Sequence, residues 1–431
     1  MPSDVPAFTN LTMAIAGALV AASCLLSRLG CRLGVPASIL FLGVGMLAGV
    51  DGPGQIEFRE FSICYVVGTV ALAAVLFAGG LQTPVRSLRD ALGPAAMLAT
   101  FGVVGVASLT ALAAHAVGLP WAEAWLVGAI ISSTDASAVF SVLHGVKLPK
   151  RVAQTIELES GLNDPVAVIL TLAMTSQLLG ENIGFAEIAG DVARELVLGA
   201  ACGAALGYVA HAVLRHVTLA NAALNPVLTL GFALAAFGVP AAIGGSGFLA
   251  VYVAGMIVGN SNLPQREHLV QVHDSLSWLS QVAMFLLLGL LVNPSELPRV
   301  AWDGIAIALA LALVARPLVA FLCLSFFRFT VRERLFIGWV GLRGAVPIVM
   351  ATLPVLSAHG ESAQTVEALD VFDIVFFVVL VSAIIPGATV ARAARRLDGR
   401  DAVLDLPEPE PLATMPGVWA GLLPWRRAAA E

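Results

Sequence analysis

Glu157-Leu158-Glu159-Ser160-Gly161-Leu162-Asn163-Asp164-Pro165 sets three carboxylates and an amide within an otherwise apolar run spanning about 154–179. At helical spacing Glu157, Ser160 and Asp164 share one face, and Glu159 and Asn163 stack on the adjacent one. Pro165 has no N–H to offer the carbonyl of Gly161, which leaves an oxygen lone pair open near Asp164. Carboxylate, amide, hydroxyl and carbonyl are the oxygen ligands that a hard monovalent cation takes. An ionisable group at the centre of a membrane helix costs about 2.5–3.5 kcal/mol on insertion scales, so each needs a reason to be there. A solvated helix end accounts for Glu157. It does not account for Asn163 and Asp164, because apolar sequence follows them without a break to Met174.

The rest of the chain says what kind of helix this is. Of 431 residues, 58% are hydrophobic and 12% charged, with mean hydropathy +0.91. Soluble domains carry about 25% charged residues, so lipid must solvate most of this apolar surface. The net charge of −6 does not point to nucleic acid. Apolar runs between charged or Pro/Gly-rich breaks predict thirteen spans: 7–27, 35–50, 61–81, 91–117, 122–143, 154–179, 188–213, 219–238, 241–259, 270–292, 303–327, 333–356 and 368–391. Each is long enough, or nearly so, to cross the roughly 30 Å hydrocarbon layer. With the N-terminus outside, sixteen Lys and Arg fall in inside loops and three (Arg59, Arg194, Arg299) outside, as the positive-inside rule requires. The first run has no basic leader, so it is read as a span and not as a cleaved signal. Beyond Arg400, Glu408 and Glu410 alternate with Pro407, Pro409 and Pro411, and 396–431 is expected to be a disordered cytoplasmic tail. Five scattered cysteines form no C-x-x-C pair and read as small buried hydrophobes. No dinucleotide fingerprint, phosphate loop or zinc spacing is present, and no cofactor is expected.

Two further polar clusters interrupt the spans. Ser132-Ser133-Thr134-Asp135-Ala136-Ser137 falls in the middle of the fifth, where residues that compete for backbone hydrogen bonds predict unwound chain facing a cavity. Gly341-Leu342-Arg343-Gly344-Ala345-Val346-Pro347 predicts a second interruption, in the twelfth span. Paired broken helices are the pattern of inverted-repeat transporters, whose half-helix ends carry partial charges that an acid and a base offset. Asp135 and an arginine suit those roles. Arg316, followed by a proline in the eleventh span, is the other intramembrane cation.

Thr134-Asp135, Glu159-Ser160 with Asn163-Asp164, Arg316-Pro317 and Gly341-Leu342-Arg343-Gly344, in that order, resemble the monovalent cation/proton antiporter superfamily. The resemblance covers about 7–395 and is to the NhaP-like, sodium/proton-exchanger-like branch. Phe41-Leu42-Gly43-Val44-Gly45-Met46-Leu47-Ala48-Gly49, Asp51-Gly52-Pro53-Gly54 and Phe77-Ala78-Gly79-Gly80-Leu81 look like the potassium/proton antiporters called cell volume regulation proteins. The resemblance implies an all-α polytopic fold of two inverted six-span repeats in one transmembrane domain over 1–395. Its mobile core would be about 91–179 and 303–391, and its dimerisation part about 7–81 and 188–292. It implies a homodimer in the cell membrane with a cytoplasmic C-terminus. It also implies roles: Asp164 takes a proton or a cation, Asn163, Ser160 and Thr134 complete the shell, and Asp135 balances the half-helix ends. Glu159 would pair with an arginine, Arg343 in preference to Arg316. Asn163 stands where electrogenic relatives carry a second aspartate, which implies electroneutral exchange of potassium, or alternatively sodium, for protons. A cation channel would use the same buried carboxylates but needs no broken-helix pair, a sodium-coupled organic-anion symporter would have a similar inverted-repeat fold, and a hydrolase finds no Gly-x-Ser-x-Gly elbow here.

Overall fold

A computed structural model describes residues 5–33, 36–85, 89–135, 138, 148–180, 184–221, 223–263, 266–358, 363–394, 397 and 403–404. The described regular structure is helical except for one pair of two-residue strands. The helices, in chain order, are α1 (Val5–Leu33), α2 (Ala37–Ala48), α3 (Phe61–Gln82), α4 (Arg89–Met97), α5 (Val103–Ala116), α6 (Trp121–Ile130), α7 (Lys150–Leu178) and α8 (Phe185–His216). They continue as α9 (Leu224–Ala242), α10 (Gly247–Gly259), α11 (Arg266–Leu291), α12 (Leu297–Ala310), α13 (Arg316–Leu324), α14 (Val331–Trp339), α15 (Ala345–Ser357) and α16 (Ala363–Ala394). Among the described residues, seven helical segments are long and apolar enough to cross a membrane, and five more apolar helices are shorter, at 10–17 residues. The segment of α8 is the least buried of the seven, at 22% of its apolar window, and that of α16 the most, at 61%. The first therefore presents its apolar surface outward, and the second supports the interior.

Two interruptions differ from ordinary helix ends. α4 and α5 are joined through a π-helical turn, Leu98–Gly102, and α12 and α13 through another, Leu311–Ala315. Each such turn inserts an extra residue and swings the following side chains around the axis. Arg316 is the first residue after the second one. α14 starts on a capping box, Thr330 accepting from the Glu333 N–H while the Glu333 carboxylate accepts from the Thr330 N–H. α14 ends at Trp339, and α15 does not start until Ala345. Pro347 sits in the first turn of α15, where a missing N–H costs nothing.

Packing sorts the helices into two groups. α3 lies against α10 and α11, α11 against α2, and α10 against α8 and α9. α7 lies against α4 and α6, α6 against α5, and α16 against α12 and α15. The two groups meet where α15 packs on α3 and α7 on α10. Close approach within the first group depends on glycine: a Cβ on Gly80 would lie 2.5 Å from the carbonyl oxygen of Tyr252 on α10. At one end the Asp51 carboxylate accepts the Ser295 N–H at 2.8 Å, and hydrogen bonding from Ser295 holds this carboxyl below the usual carboxylate range. Of the tail over 396–431, only Leu397, Val403 and Leu404 are described, and the expected disorder otherwise lies outside the described residues. Val403–Leu404 pairs antiparallel with Leu148–Pro149, so at those two positions the chain has a regular partner.

Candidate functional site

The two interrupted spans meet at their breaks. α6 stops at Ile130, and residues 131–135 run on as unwound chain, as the Ser/Thr/Asp cluster predicts. Ser137 and most of the second half of that span lie outside the described residues. The N–H of Asp135 donates to the carbonyl of Leu342 at 2.9 Å, which ties one unwound stretch to the other. The Asp135 carboxylate accepts from the Ala138 N–H at 3.3 Å and also lies against Gly344, at the start of α15. Its charge thus stands at the positive, N-terminal end of a half-helix. Arg343, 1% exposed, donates from Nη1 to the carbonyl of Ser133 at 2.7 Å, just past the end of α6, where a cation offsets the helix's negative end.

Gly344 leaves no room for a side chain, since a Cβ there would fall on the Asp135 carboxylate. Gly344→Ala is therefore expected to push Asp135 away from the start of α15 and part the two breaks. Transport and thermal stability in detergent should both fall, while Gly79→Ala, a change into open space on α3, should leave stability unchanged. Equal stability of the two variants would show that this approach is slack.

Glu159 and Arg316 form an ion pair, Arg316 donating from Nη2 to Oε2 at 2.8 Å while its Nη1 lies 2.6 Å from Oε1. Both are buried, at 1% and 4% exposure. This corrects the sequence-based preference for Arg343 as the partner of Glu159. The reason is geometric: Arg343 is committed to the Ser133 carbonyl, and the π turn before Arg316 aims that side chain across α13 toward α7. The stem of Arg316 passes under Gly341, where a Cβ would lie 2.7 Å from Nε. Gly341 thus makes room for the pair as well as breaking the helix.

On α7, Ser160 donates to the Thr134 carbonyl at 2.7 Å, and Asn163 donates from Nδ2 to Thr134 Oγ1 at 2.6 Å. Asn163 is fully buried and its Oδ1 has no hydrogen-bond partner. Asp164 is 6% exposed, and its Oδ1 is likewise buried without a donor. A buried oxygen without a donor is costly, and a carboxylate more so. Asp164 and Ser160 line a cavity of about 120 Å³ that Asp135, Glu157 and Gly161 also line. Its opposite wall comes from α3, α10 and α11, including Leu76, Thr83, Tyr252, Gln281, Met284 and Phe285.

The structure therefore brings Asp164, Asn163, Ser160, Thr134 and Asp135 together around the two breaks, with the Glu159–Arg316 pair and Arg343 behind them. Thr83 and Tyr252 escaped sequence reasoning. One is a lone threonine at the end of a span and the other a lone tyrosine within an apolar run, and no spacing links either to α7.

Residues 18–396 match the family described as sodium/hydrogen exchanger, transmembrane. The chain belongs to that family. It is 41% identical over 411 residues to the K(+)/H(+) antiporter NhaP of Alkalimonas amylolytica, spanning 94% of this chain and 70% of that protein. It is 42% identical over 407 residues to the K(+)/H(+) antiporter NhaP2 of Shewanella oneidensis, spanning 94% of this chain and 69% of that one. Among solved structures, the sodium proton antiporter MjNhaP1 of Methanocaldococcus jannaschii at pH 8 shares the fold, with TM-score 0.77, 23% identity, and 90% and 99% of the two chains covered. As a member of the exchanger family this chain is a membrane-embedded cation/proton antiporter.

Proposed function

We propose that the protein exchanges one monovalent cation, potassium in preference to sodium, for one proton by alternating access, with Asp164 as the carboxylate both share. One observation carries this reading. A buried carboxylate, Asp164, has an oxygen without any donor and lines a cavity, and the next residue in the chain, Asn163, carries a second such oxygen. Oxygens left without donors are suited to a proton or a desolvated cation, which supply the missing positive charge. Ser160 and Thr134 occupy one another through a hydrogen bond, and a bound ion can use their remaining lone pairs. Potassium is preferred because the relatives at 41–42% identity carry that name. Sodium remains the second reading because the family and the structural neighbour are named for it.

On this proposal the helices make thirteen spans with the N-terminus outside and the C-terminus in the cytoplasm of the cell membrane. The paired breaks and paired π turns belong to two inverted repeats. The α4–α7 and α12–α16 group would move as a core against the α1–α3 and α8–α11 group, which would hold a homodimer together. Thr83 and Glu157 lie toward the ends of spans that border positive loops, so the cavity would face the cytoplasm.

Charge counting sets the electrical behaviour. The residue beside Asp164 is the neutral amide of Asn163, so the loaded site carries the same charge with a proton or a monovalent cation. Exchange is expected to be insensitive to an imposed membrane potential, and protons should raise the KM for the cation without lowering the maximal rate. Proton movement in proteoliposomes, measured across a pH series with potassium, sodium and choline chloride at clamped potentials, checks this. A strongly voltage-dependent rate would mean that a second charge moves. A maximal rate that falls at low pH with KM unchanged would place the proton effect elsewhere.

A further inference from the structure

Glu157 remains outside the site just described, and its surroundings are specific. It lies two turns before Asp164 on the same face of α7, about 10 Å along the axis, and both residues line the same cavity. Its Oε1 accepts from Thr83 Oγ1 at 2.9 Å, and Thr83 Oγ1 is 3.3 Å from Tyr252 Oη. Thr83 caps the C-terminal end of α3, Tyr252 is on α10, and both are buried, at 1% and 2% exposure. The Tyr252 ring rests on Gly161, where a Cβ would lie 2.7 Å from it. A threonine hydroxyl has one proton, and here that proton is shared between the Gly79 carbonyl and Glu157. One carboxylate and two hydroxyl oxygens from three helices therefore converge on one point of the cavity wall.

We propose that Glu157, Thr83 and Tyr252 form a second monovalent-cation site, a relay through which the cation passes between bulk water and Asp164. The proposal rests on the antiport reading of this cavity and adds a residue to it. The cavity that both acids line is walled largely by apolar side chains, Leu72, Leu76, Met284, Phe285 and Val346 among them, with Gln281 as a further polar group on the facing wall. An ion that crosses such walls loses water before it gains a ligand, and a fixed negative charge along the way offsets that loss. The Thr83 and Tyr252 oxygens replace part of the lost hydration, and the Thr83 proton can turn to the Gly79 carbonyl when the ion arrives. All three groups are oxygen donors suited to a hard monovalent cation, and a single carboxylate does not favour a divalent one.

Two measurements on the full chain test the relay. In proteoliposomes Glu157→Gln should raise the KM for potassium about tenfold or more, by removing the charge that concentrates cations in the cleft, with the maximal rate within about twofold. Thr83→Val and Tyr252→Phe keep every charge and should raise KM in the same direction but less. An unchanged KM in all three overturns the proposal, and the last two variants carry the test if Glu157→Gln fails to fold. The second measurement needs no transport: potassium-induced infrared difference spectra of the purified protein in detergent. A potassium-sensitive carboxylate band should persist in Asp164→Asn and vanish in Asp164→Asn/Glu157→Gln. Its absence from the single variant, or survival in the double, overturns the relay. Failure of antiport itself would look different, as wild-type protein that moves no protons in response to any cation.

Discussion

Asp164→Asn is expected to bring cation-driven proton movement down to the level of empty liposomes while the protein stays folded. Asparagine keeps the size of the side chain and removes the only property the proposal uses, a charge that a proton or a cation can neutralise. The variant should lose no stability and should gain some if Asp164 is ionised in the wild type. A buried carboxylate oxygen without a donor destabilises the folded state, and the neutral amide lessens that cost. The informative comparison is therefore exchange activity in proteoliposomes beside the melting temperature in detergent. Loss of activity with an equal or higher melting temperature fits a transport role. Normal exchange by the variant would remove Asp164 from the centre of the mechanism, and loss of both properties would make it a folding residue.

Breaking the Glu159–Arg316 pair should have the largest effect on stability. Glu159→Gln leaves the Arg316 guanidinium buried without its counter-charge, a change that costs about 3–5 kcal/mol where measured in other buried pairs. Adding Arg316→Met removes the stranded charge and should restore part of the loss, a coupling that a double-mutant cycle reads directly. Adding Arg343→Met to Glu159→Gln should restore less than Arg316→Met does, because Arg343 donates to the Ser133 carbonyl and meets Glu159 and Arg316 only through space. Thermal or denaturant unfolding of these variants and the two single arginine variants in one detergent decides between the arrangements. Additive losses at Glu159 and Arg316, or a rescue by the change at Arg343 as large as that by Arg316→Met, would mean that the pairing seen here does not carry the energy.

The polar groups of the site were legible in the sequence, for a physical reason. Where an apolar run has no solvent to offer, an ionisable or amide side chain stands out by its cost, and Asp164, Asn163, Asp135 and both arginines were found that way. The interruptions at 131–135 and 340–344 were legible too, because Ser, Thr and Asp weaken a helix and two glycines and a proline break one. Helical periodicity put Glu157, Ser160 and Asp164 on one face, and all three line one cavity. Periodicity, however, describes one helix at a time.

What the sequence determined by itself is local: which stretches need lipid or a packed interior, where the helices give way, and which side chains of α7 point together. Tertiary structure alone decided everything that depends on a distance between helices. Arg316 and Arg343 are chemically alike, and no spacing separates them. The choice between them follows from a π turn that rotates Arg316 toward Glu159 and a crossing of the two breaks that puts Arg343 at Ser133. Thr83 and Tyr252 became neighbours of Glu157 because α3 and α10 approach through glycines until their backbones nearly touch, and α7 packs against α10. Pairing energies fall off within a few ångströms, so a cavity wall built from several helices exists only once those helices have packed.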